Sequence, residues 1–306
     1  MKRINLTTKS SSSYELLDLG REEKLERFGD VVLSRPDPQA LWEKSLGDSD
    51  WSLATGKYER DGKEGKWIGK LEKEWTIEFG GLKFVIRPTS FKHTGLFPEQ
   101  LSNWEWVKEI LSKAPAKGRD ERDPNSLSQD FAQAQPTILN LFGYTGGATL
   151  AAAQAGAEVT HVDASKSAVA WARENAEASG LADKPIRWIV EDAMTFVERE
   201  IKRGKKYDGI IMDPPAFGHG PNNELWKIEE NFIELIKLCE QLLSEKPLFF
   251  LINGYAAGYS PLAFAYNLEN IQNKCGGEIE YGDLAIEQKG SERVLPSGIF
   301  ARWKRD

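Results

Sequence analysis

Cysteine is nearly missing from this chain of 306 residues: only Cys239 and Cys275 occur, with three histidines. Two cysteines at this length build no disulfide framework, so a reducing compartment fits and a cytoplasmic location is expected. The scattered His and Cys residues show no metal-ligand spacing, and no metal site is expected. No apolar run reaches the roughly eighteen residues of a membrane-spanning helix, so no membrane association is expected. The first residues, MKRINLTTKSSSSYELLDLG, hold early basic side chains but no apolar stretch, and a secretory leader is not expected. Basic excess is lacking too. The net charge is −7, which argues against indiscriminate nucleic-acid binding. Residues 83–122 run against that total, with eight Lys/Arg and five acids. On charge pattern alone this stretch reads as solvated surface.

The chain does hold 40% hydrophobic and 28% charged residues, the balance of a globular protein with one large or two smaller domains. Up to Arg87 the pattern is irregular and strand-like. In WTIEFGGLKFVIRP, Trp75, Ile77 and Phe79 alternate with polar residues, as do Leu82, Phe84 and Ile86. Gly80-Gly81 between them predicts a β-hairpin with a primed turn. Six of the ten tryptophans (42, 51, 67, 75, 104 and 106) fall in this first third, which suits a core built on large aromatics. Stacking on nucleobases is the sharper alternative. Pro98 followed by Leu101, Trp104, Val107 and Leu111 predicts a helix, and the polar residues 114–136 predict an exposed connection. From Thr137 buried strands alternate with helices, the last of the long helices over roughly 223–244, which means an α/β fold with a mostly parallel sheet. The final two strands, EIEYGDLAIEQ and SGIFARW, are too closely joined for a parallel crossover and should be antiparallel.

Ligands of open α/β sheets sit beyond the carboxyl ends of the strands. Here the first such strand ends in FGYTGG and the next three in Asp163, Asp192 and Asp213, spaced 20, 29 and 21 residues from Gly143 onward. One acid at a strand end is often only a helix N-cap, a role Ser165 also suits. Three in succession behind a glycine turn line a ligand site. Gly143, Gly146 and Gly147 allow close approach of a ligand to the backbone. An acid after the second strand suits a ribose hydroxyl, of a nicotinamide dinucleotide or of an adenosyl cofactor. The order G-Y-T-G-G-A does not match the dinucleotide fingerprint G-x-G-x-x-G. Asp213-Pro214-Pro215-Ala216-Phe217, a strand broken by prolines, has no role in hydride transfer.

These residues resemble the class I S-adenosylmethionine-dependent methyltransferases. LNLFGYTGGATLAAAQAGA is similar to their first motif, VTHVDASKSAVAWARENAEASG to the second, VEDAMTFV to the third, and DPPAF to the [N/D]-P-P-[Y/F] motif of enzymes that methylate base nitrogens. The resemblance covers about 137–306. It implies a Rossmann-like sheet and S-adenosylmethionine as cofactor, held by Phe142, Gly143, Tyr144, Thr145, Gly146, Gly147, Asp163, Ala164, Ser165, Asp192, Ala193 and Asp213. KHTGLFPEQ (Lys92 to Gln100) resembles the K-T-G-x-F-x-D-Q of 23S ribosomal RNA methyltransferases, with an inserted His93 and with Glu99 in place of Asp. That implies a small β-rich domain over 1–90 with a role in RNA binding, ahead of a catalytic domain over 91–306 whose first part, 91–136, is a leading helix and linker. Lys92, His93, Thr94, Gly95, Phe97, Gln100 and His219 are the accompanying candidates for substrate or lid contacts.

Methylation of cytosine C5 needs a thiolate. Neither MDPPAFGHG nor LINGYAAGY contains one, so that chemistry is not expected, and both cysteines read as structural. Transfer to nitrogen is mainly a positioning task. Asp213 and the Pro214 carbonyl are expected to orient a base nitrogen and Phe217 to pack on its ring, Pro215 completing the turn. The expected substrate is RNA, with large-subunit ribosomal RNA first. Methylation of a small molecule or protein, and a non-catalytic RNA-binding or assembly role with a vestigial pocket, remain as alternatives.

Overall fold

The structure, a computed structural model, describes residues 1–61, 64–114, 135–255 and 258–306. Most of the connection expected over 114–136 lies outside the described residues, as do the cations at its start.

Among the described residues the largest sheet has nine strands. Its centre is Thr137–Leu141, flanked by Glu158–Asp163 and Gly209–Met212, with Ile186–Val190 and Phe249–Gly254 outside them, all parallel. Strand order therefore reverses at Thr137–Leu141, and the crevice above that strand is the expected ligand position. Side chains alternate between two covered faces. Leu139, Ile210 and Phe250 meet Phe196 and Val197 from the helix Ala193–Lys202 and Leu235 from Ile228–Leu242. Ile138, Ile211 and Leu251 meet Trp106 and Val107 from Leu101–Lys113 and Ala152 and Ala153 from Gly147–Gln154. Period-2 alternation with both faces apolar is why these runs read as continuous hydrophobic stretches.

The last strand, Val294–Lys304, is antiparallel to both Phe249–Gly254 and Glu278–Glu287, as its short connection requires. Two short N-terminal strands, Lys2–Arg3 and Leu6–Thr8, run parallel to Glu278–Glu287 and extend the same sheet. Nothing in their irregular sequence signals that pairing.

The predicted hairpin is present as Trp75–Phe79 and Leu82–Ile86, with φ of 62° and 75° at Gly80 and Gly81, the left-handed pair a primed turn demands. It lies on the helix Lys166–Ala178: Val85 N donates to Asn175 Oδ1 (2.8 Å), and the Trp171 indole donates to the Val85 carbonyl (2.8 Å). Tyr14–Gly20, Glu23–Phe28, Val31–Pro36, Gly56–Asp61 and Glu64–Gly69 form a separate five-stranded sheet. Trp104 is buried, with Trp42, Trp67 and Trp75 packed around the same cluster, which favours the core reading of these tryptophans.

One boundary differs from the sequence expectation. The helix expected from about 223 begins at Ile228, because Phe217–His219 and Leu225–Lys227 first close an antiparallel hairpin. Asn223 adopts φ 66° at its turn, and Glu224 accepts from the Asn222 backbone and amide. Such asparagine-rich turn chemistry competes successfully with helix propensity. No helix among the described residues is long and apolar enough to cross a membrane.

Candidate active site

The loop after Thr137–Leu141 is the most constrained part of the crevice. Phe142 and Tyr144 hold φ of 56° and 47°, left-handed values that cost an L-residue about 1–2 kcal/mol each. Neighbours fix them there. Tyr144 N donates to Asp163 Oδ2 (2.8 Å), Gly143 N to the Val162 carbonyl (3.0 Å), and Asn175 Nδ2 to the Thr145 carbonyl (2.9 Å). Thr145 Oγ1 donates to the Gly95 carbonyl (2.6 Å), which ties the Lys92–Gln100 segment to the loop. The glycines have a different reason from the one expected. A Cβ at Gly143 would lie 2.5 Å from the His161 ring and one at Gly147 2.3 Å from Trp104, so glycine is required by the protein behind the loop.

The acids stand at the strand tips as read from the sequence. Asp163 accepts from Tyr144 N through Oδ2 and from Ser165 N through Oδ1 (2.8 Å each), and burial raises its pKa. Asp192 caps the helix Ala193–Lys202 through Thr195 N (2.9 Å). Ser165 caps Lys166–Ala178 through Ala168 N (3.2 Å). Asp213, half-buried, is pushed up to about 7, first by burial and then by the charge of Glu99. Glu99, 5% exposed, is also pushed up to about 7, by burial and by Glu26, with Lys24 opposing.

All five of these groups face one cavity of about 840 Å³, near the upper end of ligand pockets. Among the expected site residues, Phe142, Tyr144, Ala164, Ala193, Pro214 and Pro215 line it too. So do Lys92, His93, Phe97 and His219. Gly143, Thr145, Gly147, Gly95 and Gln100 instead border a small void of about 70 Å³ behind the loop. Gly146 packs on Ala172, and Thr94 is buried. Phe217 does not line the cavity. Its flanking residues Ala216 and Gly218 do, while its ring, 57% exposed, meets His219 edge-on at 5.2 Å on the outer hairpin. The ring thus stands outside the wall to which Ala216, Gly218 and His219 contribute.

Several lining residues carry no sequence signal strong enough to find them. Lys24 and Arg35 come from the five-stranded sheet, and Asp37 from just past its strand Val31–Pro36. Arg35 is locked to the buried Glu26 at 2.5 Å, and Lys24 reaches Asp37 at 3.2 Å. Tyr255 stands just past the strand Phe249–Gly254, where the strand-tip rule could have flagged it. Its ring lies 5.3 Å from that of Phe97, which also meets Tyr144 and His93 at 5.5 Å each. Burial and the cations Arg35, Lys92 and Lys24 lower the His93 pKa to about 4, so this ring is neutral near pH 7. The Trp226 indole donates to the Pro215 carbonyl (2.7 Å) and pins the proline turn. No group of three His, Cys, Asp or Glu residues among the described ones is arranged to hold a metal ion.

The lining fits S-adenosylmethionine on the chemistry of its donors. Each Asp163 oxygen has accepted one backbone hydrogen bond and keeps capacity for a hydroxyl. Seven carboxylic acids, Asp37, Glu99, Asp163, Glu191, Asp192, Asp213 and Asp283, line the cavity against three cations, Lys24, Arg35 and Lys92, an acidic excess suited to a ligand with sulfonium and ammonium charges. Asp163 would hold the ribose, Asp192 the adenine side, and the strained loop the methionine part.

Known proteins of similar sequence and fold identify the family. A family profile described as "Conserved hypothetical protein 95" matches residues 125–238. The ribosomal RNA large subunit methyltransferase K/L of Shewanella frigidimarina is 27% identical over 220 residues, 71% of this chain and 27% of that protein. The chain thus spans about a quarter of the length of such curated relatives. A putative S-adenosylmethionine-dependent methyltransferase from Streptococcus mutans shares the fold, with a TM-score of 0.66, 19% identity, and coverage of 96% of this chain and 75% of that one. The crystal structure of an S-adenosylmethionine-dependent methyltransferase from Agrobacterium tumefaciens matches with a TM-score of 0.90 and 36% identity, over 100% of this chain and 95% of that one. At that identity and coverage, the chain belongs to the S-adenosylmethionine-dependent methyltransferases.

Proposed function

We propose that this methyltransferase acts on a nitrogen of a base in RNA, with large-subunit ribosomal RNA the first candidate. The observation that carries the reading is the position of Asp213, which faces the same cavity as Asp163 and Asp192 from the tip of Gly209–Met212. The cofactor supplies the methyl group, and the protein's task is to align an acceptor with it. Asp213 accepts a hydrogen bond from the acceptor nitrogen, and the proline turn pinned by Trp226 fixes its direction. Phe97, Tyr144 and Tyr255 are rings beside that acid on which a base can stack. A base inside a helix reaches this depth only by being flipped out. Thiolate chemistry is disfavoured: Cys239 is fully buried in the helix Ile228–Leu242, and Cys275 ends a distant helix.

The names of the curated relatives support ribosomal RNA as the substrate class, and an enzyme of that kind works in the cytoplasm. Residues 1–90 contribute Lys24 and Arg35 to the cavity wall, with Lys92 just after them in the chain, which supports an RNA-contacting role for that part over a purely scaffolding one. Phe217 meets RNA outside the pocket, on the exposed hairpin. The test is methyl transfer from labelled cofactor to total RNA and to protein fractions, with Asp213→Ala as control. Label in RNA that is lost in the variant, at unchanged S-adenosylhomocysteine affinity, supports the reading. Label confined to protein or small molecules overturns it.

A further inference from the structure

Glu99 is a buried carboxylate for which the structural role is insufficient. It sits in the short turn Pro98–Gln100, 5% exposed, and no Lys or Arg forms an ion pair with it among the described residues. A buried, unpaired charge is costly unless function retains it. The segment that carries it is fixed from below: Thr8 Oγ1 donates to the Pro98 carbonyl at 3.0 Å. Gln100 Nε2 donates to the Tyr255 hydroxyl (2.7 Å), and Tyr255 lines the same cavity as Glu99. Gln100 is oriented in turn by Asn103, whose Nδ2 donates to Gln100 Oε1 (3.3 Å) and Asn253 Oδ1 (2.8 Å). Asn103 Oδ1 accepts from Arg302 Nη1 (3.2 Å), and Arg302 is clamped by Glu280 (2.7 Å). Five elements thus fix the segment that carries Glu99, whose side chain lines the same cavity as Asp213.

We propose that Glu99 is the general base of the reaction: its carboxylate takes the proton released when the acceptor nitrogen is methylated, while Asp213 hydrogen-bonds the same substrate amine. The inference rests on the nitrogen reading above. In the transfer the N–C bond forms and the S–C bond of the sulfonium breaks, its electron pair remaining on sulfur. The nitrogen, now positive, gives up an N–H proton to the Glu99 carboxylate and keeps the electron pair. Two neighbouring acids also match the two N–H groups of an exocyclic amine, so the substrate is a base bearing such an amine. A ring nitrogen without a proton needs no such acceptor.

Charged and titratable groups around Glu99 are Lys24 and Arg35, opposing Glu26 and Asp213, with Tyr14 and Tyr255 beside them and Asp283 on the neighbouring strand lining the same cavity. Removing the Glu99 charge therefore makes Asp213 easier to ionise.

The experiment compares the full chain with Glu99→Gln and Glu99→Asp on the labelled RNA fraction, as kcat/KM against pH, with mass-spectrometric identification of the methylated nucleoside. The wild type should lose activity as pH falls through about 7. Glu99→Gln should lower kcat about 100-fold and move the remaining acid limb downward by about one pH unit or more. Glu99→Asp should recover part of the rate. S-adenosylhomocysteine affinity should change little, and an infrared band of a protonated carboxyl at pH 6 should weaken in Glu99→Gln. A purely structural role predicts an unmoved limb and a weakened cofactor affinity, and that result overturns the proposal. Methylation of a ring nitrogen that carries no proton overturns it while leaving the RNA reading intact, and methylation of a ring N–H overturns the exocyclic-amine assignment. Label found only outside RNA overturns the RNA reading, and the pH limb of that other reaction then decides on Glu99.

Discussion

A buried acid kept for catalysis should be a burden on stability, and Glu99→Gln measures that burden. Glu99 moves from an ordinary 4.5 to about 7 in the folded protein. At about 1.4 kcal/mol per unit the shift corresponds to about 3 kcal/mol against folding once the group is ionised. The sign follows from linkage. A carboxyl whose folded pKa lies above its unfolded value adds stability that is complete below 4.5 and lost as pH rises through 7. Glutamine keeps the shape but carries no charge. Glu99→Gln should therefore be more stable than the wild type at pH 8 by a few kcal/mol, at most about 3, and the gain should nearly vanish by pH 4.5. Urea unfolding of the cofactor-free protein at both pH values reads this directly. A variant destabilised equally at both pH values would refute the reasoning, because packing rather than charge would then dominate the site. Gain in stability with loss of turnover is the trade expected of an active-site group.

Asp163→Asn should weaken S-adenosylhomocysteine binding about 10- to 100-fold by calorimetry, since either amide orientation sets an NH₂ against the Tyr144 or Ser165 N–H, and a hydrogen bond to a charged group contributes about 1.5–3 kcal/mol. Unchanged affinity would remove Asp163 from the cofactor site. Gly147→Ala should cost about 1–3 kcal/mol in urea unfolding, because its Cβ would fall 2.3 Å from Trp104. Phe217→Ala should leave unfolding and cofactor affinity unchanged and raise KM for RNA several-fold; an unaltered KM would exclude the outer hairpin from the RNA contact. The His161 ring, fully buried with burial lowering its pKa to about 3, should stay neutral at pH 5 in a proton NMR titration.

The parallel core is legible because its strands are covered on both faces, so that Gly209–Met212 and Phe249–Ile252 read as unbroken apolar runs and Ile138–Leu141 is interrupted only by the buried Asn140. The hairpin at Gly80-Gly81 is legible because only glycine adopts its two positive φ values at little cost. Lys2–Arg3 and Leu6–Thr8 are not legible. Two- and three-residue strands owe their existence to a partner about 280 residues away, and no local pattern encodes that partner. The hairpin before Ile228 failed for the opposite reason: its short strands look helical until the turn at Asn223 is recognised.

In the site, the acids were found because strand tips can be counted along the chain, whereas ring directions cannot. Sequence position put the Phe217 ring on the substrate, but the ring is exposed, while Ala216, Gly218 and His219 around it stand at the wall. The rings beside Asp213 are Phe97 and Tyr255, brought together by a turn before one helix and the end of a distant strand. Glu99 was visible only as a departure from a motif, an acid one carbon longer than the aspartate there. That extra length acquires meaning only in three dimensions, where burial, Tyr255 and the charge of Asp213 act on the same carboxyl. A sequence displays which acids exist; which of them share a cavity, and so shift one another's protons, depends on long-range packing.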